Sequence, residues 1–278
     1  MKMCRLFGML SVNPSDACRY ILEDPCSLYV QSKIDPRRLQ GDGWGVGFYE
    51  NESPIVIKSE KPIYMDYENF SSTVKRAKSR IILAHIRRAS NPRGLPREKM
   101  ISKENSQPFT YGRYIFAHNG TITIPDELAA TLEEWRNKIG GLNDSEVYFW
   151  FIMKKLAEGI DLSAALKDLK ATLEDLWKEA REDHPDKSRP YVGLNIVISD
   201  GESLSAYSGY EENEKLGRSI CFGDQPVFEM SYLLSGEKLI IASEKTSREE
   251  DWKPLRNGEL LTGRIVDNEI AVEIKRVI

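Results

Sequence analysis

With only three histidines and four cysteines in 278 residues, and no C-x-x-C pair, the chain has little of the usual metal-binding or disulfide vocabulary. Neither a zinc knuckle nor a disulfide scaffold is indicated, and Cys4, Cys18, Cys26 and Cys221 are expected as reduced thiols. No apolar run approaches the roughly 20 residues a bilayer requires, and the first twenty residues lack a basic-then-apolar signal pattern. A soluble, cytoplasmic protein without membrane contact is expected. Positive charge is not in excess either. The 39 Lys and Arg stand against 43 Asp and Glu, a formal net charge of −4, and the two signs are interspersed, which argues against a nucleic-acid partner. Repeats, low-complexity tracts and convincing linkers are also missing. "GDGWGVG" at 41–47 matches neither G-x-x-x-x-G-K-[ST] nor G-x-G-x-x-G and precedes no helical pattern, so it gives nucleotide binding little support.

What is present is enough apolar material, 41% of residues, for a sizeable core. Short β-rich runs at 4–11, 44–50, 54–58, 80–89 and 113–119 read as strands. Between them, Ser15 to Ile34 reads as one or two short helices and Asp66 to Lys78 as an amphipathic one. Three helices are expected in the middle: Pro125 to Ile139, one starting near Asn143 with an apolar centre at Val147 to Met153, and Leu162 to Glu182. Strands return from Tyr191, with a hairpin turn at Asp200-Gly201, and continue at 219–223, 229–234, 238–243, 258–266 and 269–276. Strands, then helices, then strands indicate an α+β layered fold with largely antiparallel sheets, in one domain over 1–278.

Several short motifs carry side chains suited to chemistry, and each taken singly has a plain structural reading. Cys4 in "MKMCRLFG" reads as a small buried hydrophobe, yet a thiol freed at a chain start has its own α-amine as a base. "AHNG" at 117–120 reads as a turn, yet Asn119 and the Gly120 N–H can form an oxyanion hole. "HIRRAS" at 85–90 sets two arginines on consecutive strand positions, so they point to opposite faces, and arginine suits carboxylate recognition. "NDSE" at 143–146 reads as a helix cap, with Asp144 as an alternative acceptor for an ammonium group. Gly43, Gly45 and Gly47, on alternate positions, mark a strand face that another backbone or a ligand approaches closely. Of the histidines, His184 lies in a charged loop, which leaves His85 and His118 as candidate bases for a hydrolase.

In order, "MCRLFG", "GDGWGVGFY", "AHIRRAS", "ENSQPF", "FAHNG", "NDSE" and "IIASE" resemble the class II, N-terminal-nucleophile glutamine amidotransferases, and most of all their stand-alone branch. The resemblance runs from residue 3 to about 244. It implies a four-layer αββα sandwich with two mostly antiparallel sheets between helical layers. It implies Cys4 as nucleophile, forming a thioester with glutamine and releasing ammonia, and Asn119 and Gly120 as the oxyanion hole. It also implies Arg87 on the substrate α-carboxylate, Asp144 on the α-ammonium and Ser90 lining the same pocket, with no metal and no cofactor. His85 and His118 become structural members of their strands. Because Met1 and Lys2 precede Met3, the nucleophile's amine requires translation from Met3 with methionine removal, or a short removed propeptide. With no synthase domain on this chain, the ammonia goes to a partner synthase or the substrate is another γ-glutamyl amide. A catalytically silent γ-glutamyl sensor or interaction module is the competing reading, and a homodimer is one of the oligomeric states left open.

Overall fold

The computed structural model describes residues 3–212 and 217–277. Alternation along its first strand, β1 (Arg5–Ser15), sets the layering. Phe7 and Met9 join an apolar cluster with Ile21, Leu28 and Phe70, whereas Leu6 and Leu10 join another with Val197, Leu204 and Leu261. Successive strand side chains point to opposite faces, so β1 has to be covered on both. The same switch recurs on β4 (Ser79–Ile86), where Ile82, Ala84 and Ile86 face one cluster and Ile81 and Leu83 the other.

The remaining strands are β2 (Trp44–Glu50), β3 (Ser53–Ser59), β5 (Phe109–Tyr111), β6 (Tyr114–Ile122), β7 (Tyr191–Ser199), β8 (Ser203–Ser208), β9 (Met230–Ser235), β10 (Lys238–Ala242), β11 (Lys253–Leu255), β12 (Glu259–Val266) and β13 (Glu269–Arg276). They form a seven-stranded sheet ordered β11-β9-β10-β1-β4-β2-β3 and a six-stranded sheet ordered β13-β12-β8-β7-β6-β5. Every pairing is antiparallel. The helices are α1 (Leu28–Gln31), α2 (Tyr67–Arg76), α3 (Arg97–Met100), α4 (Pro125–Ala130), α5 (Asp144–Ala157) and α6 (Leu162–Ala180). Apolar residues of α1 and α2 cover the outer face of the first sheet, and those of α4, α5 and α6 cover the outer face of the second. The result is the αββα sandwich expected. Residues 147–153 of α5 are all buried, as a helix segment apolar around its whole circumference must be.

Several local expectations change. The helix expected over Pro125 to Ile139 breaks after Ala130, because Glu133 adopts a φ of 54° and only a 3-10 turn, Glu133–Lys138, follows. Ser15 to Ile34 holds a π-helical turn, Arg19–Glu23, followed by α1. The strand expected at 219–223 is absent: the N–H groups of Ile220, Cys221 and Phe222 point at the Glu244 carboxylate, at 2.8, 2.7 and 3.2 Å, and not at a neighbouring strand. Cys26 and Cys221, expected as thiols, are joined in a disulfide across 195 residues of sequence, while Cys4 and Cys18 stay free. Among the described residues, no helix is long and apolar enough to cross a membrane.

Candidate active site

The interlayer between the sheets changes from apolar to polar at one end. Even-numbered positions of β1 face it, and Cys4 continues that face one residue ahead of the strand. On β4 the face carrying Ile81 and Leu83 continues through His85 to Arg87, which follows the strand. On β6 the face carrying Ile115 and Ala117 continues to Asn119. Cys4 feels the charges of Arg87, Asp144 and Asp42, which puts the end of β4 and the start of α5 in its electrostatic neighbourhood.

Cys4 is buried, with its thiol donating to the Arg88 carbonyl at 3.6 Å and the Arg88 N–H donating to its sulfur at 3.4 Å. Burial pushes the thiol up to about 11; the Arg88 N–H and the Arg87 charge pull the other way without prevailing. Arg87 is buried and its guanidinium donates to the Met100 carbonyl at 2.6 Å and the Asp42 carbonyl at 3.3 Å. Arg88 is half-buried, in keeping with the opposite faces expected of the pair, although β4 itself stops at Ile86.

Asp144, the first residue of α5, is fully buried. Ser90 Oγ donates to its Oδ1 at 2.9 Å and the Ile122 N–H to its Oδ2 at 2.8 Å. Capping falls to Asn143, whose side chain accepts the Glu146 N–H at 2.8 Å, so Asp144 is free of that duty.

Asn119 is 0% exposed, yet neither its Nδ2 nor its Oδ1 has a hydrogen-bond partner among the described residues. Next to it, a Cβ on Gly120 would stand 1.8 Å from the Gly193 carbonyl oxygen, so only glycine fits. His118 is occupied on both sides: Nε2 lies 3.0 Å from the Gly193 carbonyl and must donate, which leaves Nδ1 to accept from Ser145 Oγ at 2.9 Å. Burial drives His118 below its ordinary value, and burial with the Arg87 charge drives His85 well below it, so both are neutral. His184 contacts Glu127 at 2.6 Å, away from these residues.

Three further polar residues hold the site, and sequence reasoning gave none of them a role. Asp42 accepts the Ala89 N–H at 2.8 Å and pairs with Arg97. Gln107 clamps the backbone of His118, accepting its N–H at 2.6 Å and donating to its carbonyl at 3.1 Å. Asn105 accepts the Leu142 N–H at 2.6 Å, and its carbonyl receives Asn143 Nδ2 at 2.8 Å, which docks the start of α5. All three lie inside stretches singled out above, "GDGWGVG" and "ENSQPF". The alternate glycines answer the same segment, since a Cβ on Gly45 would lie 2.2 Å from the Gln107 carbonyl oxygen. Cys26, Cys221 and Glu244 bring ligand-type atoms together, but the sulfurs are bonded to each other and the carboxylate is filled by N–H donors.

Residues 3–275 match the family described as "Glutamine amidotransferases class-II". A "Gamma-glutamyl-hercynylcysteine sulfoxide hydrolase" of Mycobacterium tuberculosis is 35% identical over 124 residues, 43% of this chain and 50% of that protein. The chain thus matches only about half the length of that curated relative. "Probable glutamine amidotransferase DUG3" of Saccharomyces cerevisiae is 25% identical over 94% of this chain and 81% of its own. A glutamine aminotransferase class-II domain protein from Silicibacter pomeroyi has the same fold, with a TM-score of 0.61, 19% identity and coverage of 97% of this chain and 98% of its own. With a family match spanning nearly its whole length over this sandwich, the chain belongs to the class-II glutamine amidotransferases.

Proposed function

We propose that residues 1–278 act as one amidotransferase domain that hydrolyses the side-chain amide of glutamine, or of a γ-glutamyl amide, through a thioester on Cys4. The observation that carries this reading is Asn119: a fully buried carboxamide with no partner among the described residues, on the same interlayer as Cys4. A desolvated donor left unpaired costs free energy unless something fills it, and a developing oxyanion would.

In this reading the α-amine of Cys4, a group that ordinarily titrates at about 8, takes the thiol proton as sulfur attacks the amide carbon. Asn119 Nδ2 and the Gly120 N–H receive the oxyanion. Arg87 holds the α-carboxylate, and Asp144, oriented by Ser90, holds the α-ammonium. The carbon–nitrogen bond breaks, the leaving nitrogen takes the relayed proton, and water then cleaves the thioester to release glutamate. From glutamine the other product is ammonia, passed to a synthase partner.

The high thiol pKa, about 11, describes Cys4 with Met3 attached, when its nitrogen is an amide and cannot serve as a base. The test is the mass of the natural N-terminus together with glutamate release from glutamine by native and Cys4→Ala protein. An N-terminal Cys4 with release abolished by the substitution is expected, and equal rates would sink the reading. One observation favours the silent sensor instead: Met3 is buried against Val227 and Phe228, a packing a retained terminus would make. An intact Met1 with no turnover is its signature.

A further inference from the structure

Each sheet ends on two edge strands, and an open edge exposes main-chain donors and acceptors that another strand can take up. Three of the four edges are guarded. β3 carries Pro54, β11 is three residues long and carries Pro254, and β5 is three residues long. β13 differs: it runs for eight residues without a proline, and its register with β12 is unbroken from Glu269 to Arg276. Among the described residues no strand pairs with its far side, and Ile274 on it is 40% exposed.

The direction of the main-chain groups on β13 follows from its two ends. Asp267 and Asn268, with φ of 50° and 64°, form the two-residue turn from β12. Beyond the strand, the Val277 N–H donates to the Gly258 carbonyl at 2.8 Å. Antiparallel partners alternate between hydrogen-bonded and open pairs, so odd-numbered residues turn to β12, and Ile270, Val272 and Ile274 turn their N–H and C=O groups outward. The side chains alternate too. Ile270 and Val272 pack on the apolar cluster between the sheets and Ile274 continues that face, whereas Glu269, Glu273 and Lys275 stand on the other. Lys275 lies 3.1 Å from Glu273 along the strand, both side chains being more than half exposed.

We propose that β13 is the contact surface of a homodimer, pairing antiparallel with β13 of a second copy about a two-fold axis at Val272. The strand's own sequence selects that occupant and that register. Outward groups meet only where even-numbered residues face even-numbered ones. Centred on Val272, the pairing sets Ile270 against Ile274, Ala271 against Glu273 and, at both ends, Glu269 against Lys275. Centred on Ala271 it would set Glu269 against Glu273, and centred on Glu273 it would set that carboxylate against its own copy. Like charges directly opposite one another are destabilising, so both alternatives lose. The contact is isologous and closed: two six-stranded sheets become one, and the open edge of each is consumed by the other.

The experiment is sedimentation velocity of the full chain over a concentration series. One strand pair is small beside the roughly 1,200–2,000 Å² of a stable interface, so a monomer–dimer equilibrium is expected, with dimer gaining as concentration rises. Glu269→Lys and Lys275→Glu each put like charges opposite one another at both ends, and each should weaken the dimer roughly ten-fold or more. Mixed in equal amounts, the two variants meet opposite charges at both ends and should recover the association as a mixed dimer. Both positions are exposed, and an unchanged melting temperature checks that each variant is folded. A chain that stays monomeric across the series overturns the proposal and leaves the edge to a strand of another protein. A dimer indifferent to both reversals places the contact elsewhere, and reversals that weaken it without recovery on mixing overturn the pairing about Val272. Every readout is independent of Cys4.

Discussion

Ser90 Oγ reaches Asp144 Oδ1 at 2.9 Å, joining residues 54 apart in sequence. With the Ile122 N–H on the other oxygen at 2.8 Å, the carboxylate plane is fixed. Hydrogen bonds to charged groups contribute about 1.5–3 kcal/mol, so Ser90→Ala should raise KM for glutamine by roughly ten-fold or more while changing kcat little. Ser90→Thr keeps the hydroxyl and should stay near native. Steady-state kinetics separates the two effects, and a loss confined to kcat would contradict the assignment.

Asn119→Ala should lower kcat by about 10²–10³, the usual cost of one oxyanion donor. Because the Asn119 side chain has no hydrogen-bond partner among the described residues, the melting temperature should hold or rise. Activity and stability falling together would point to a structural residue instead.

Gly120→Ala should fail for a different reason. Its new methyl would meet the Gly193 carbonyl oxygen, backbone against backbone, inside the pairing of β6 with β7. Destabilisation above roughly 4 kcal/mol is expected, read as insolubility or a collapsed melting transition. Gly8→Ala is the milder control, since its 2.8 Å neighbour is a Val197 methyl that can shift.

The two buried histidines give acid sensitivity with a definite sign. His85 and His118 have native pKa values below the ordinary 6.5, so below that pH the unfolded chain takes up protons the folded one refuses. Their stability contribution is complete above pH 6.5 and declines below it, by up to about 1.4 kcal/mol per pH unit for each residue. Urea midpoints measured from pH 7.5 to 5.5 should fall; a flat profile would speak against neutral, buried rings.

Thiol chemistry should divide the cysteines two and two. Both free thiols, Cys4 and Cys18, are raised to about 11, which at pH 8 leaves each with about a hundred-fold less thiolate than an ordinary cysteine. Iodoacetamide should label either one slowly while Met3 remains attached, and non-reducing peptide mapping should recover Cys26 linked to Cys221. Rapid labelling of four residues in unreduced protein would be inconsistent with both statements.

Much of this arrangement was legible in local text because strand parity is local. "LAHIR" and "IFAHN" place His85, Arg87 and Asn119 by the alternation that orders the apolar residues before them, and β2 spans the run read from sequence. What stayed hidden depends on partners distant in the chain. Nothing around Cys26 announces Cys221, and nothing near 219–223 announces that its N–H groups will serve Glu244. The two three-residue strands β5 and β11 are too short for a period to show. Asp42 and Gln107 were in view, but their importance lies in what they hold in place, the Ala89 N–H and the His118 backbone.

The bare face of β2 has a wider meaning than close packing. At Gly45 the first sheet, which leads into Cys4, rests on the Gln107 carbonyl, and the Gln107 side chain grips the second sheet one residue before Asn119. The spacing between Cys4 and Asn119 is therefore gauged by a main-chain contact at Gly45 and by one side chain, Gln107, whose amide is held at both of its ends. A methyl group at position 45 would work as a shim, wedging apart two halves of a site that it never touches.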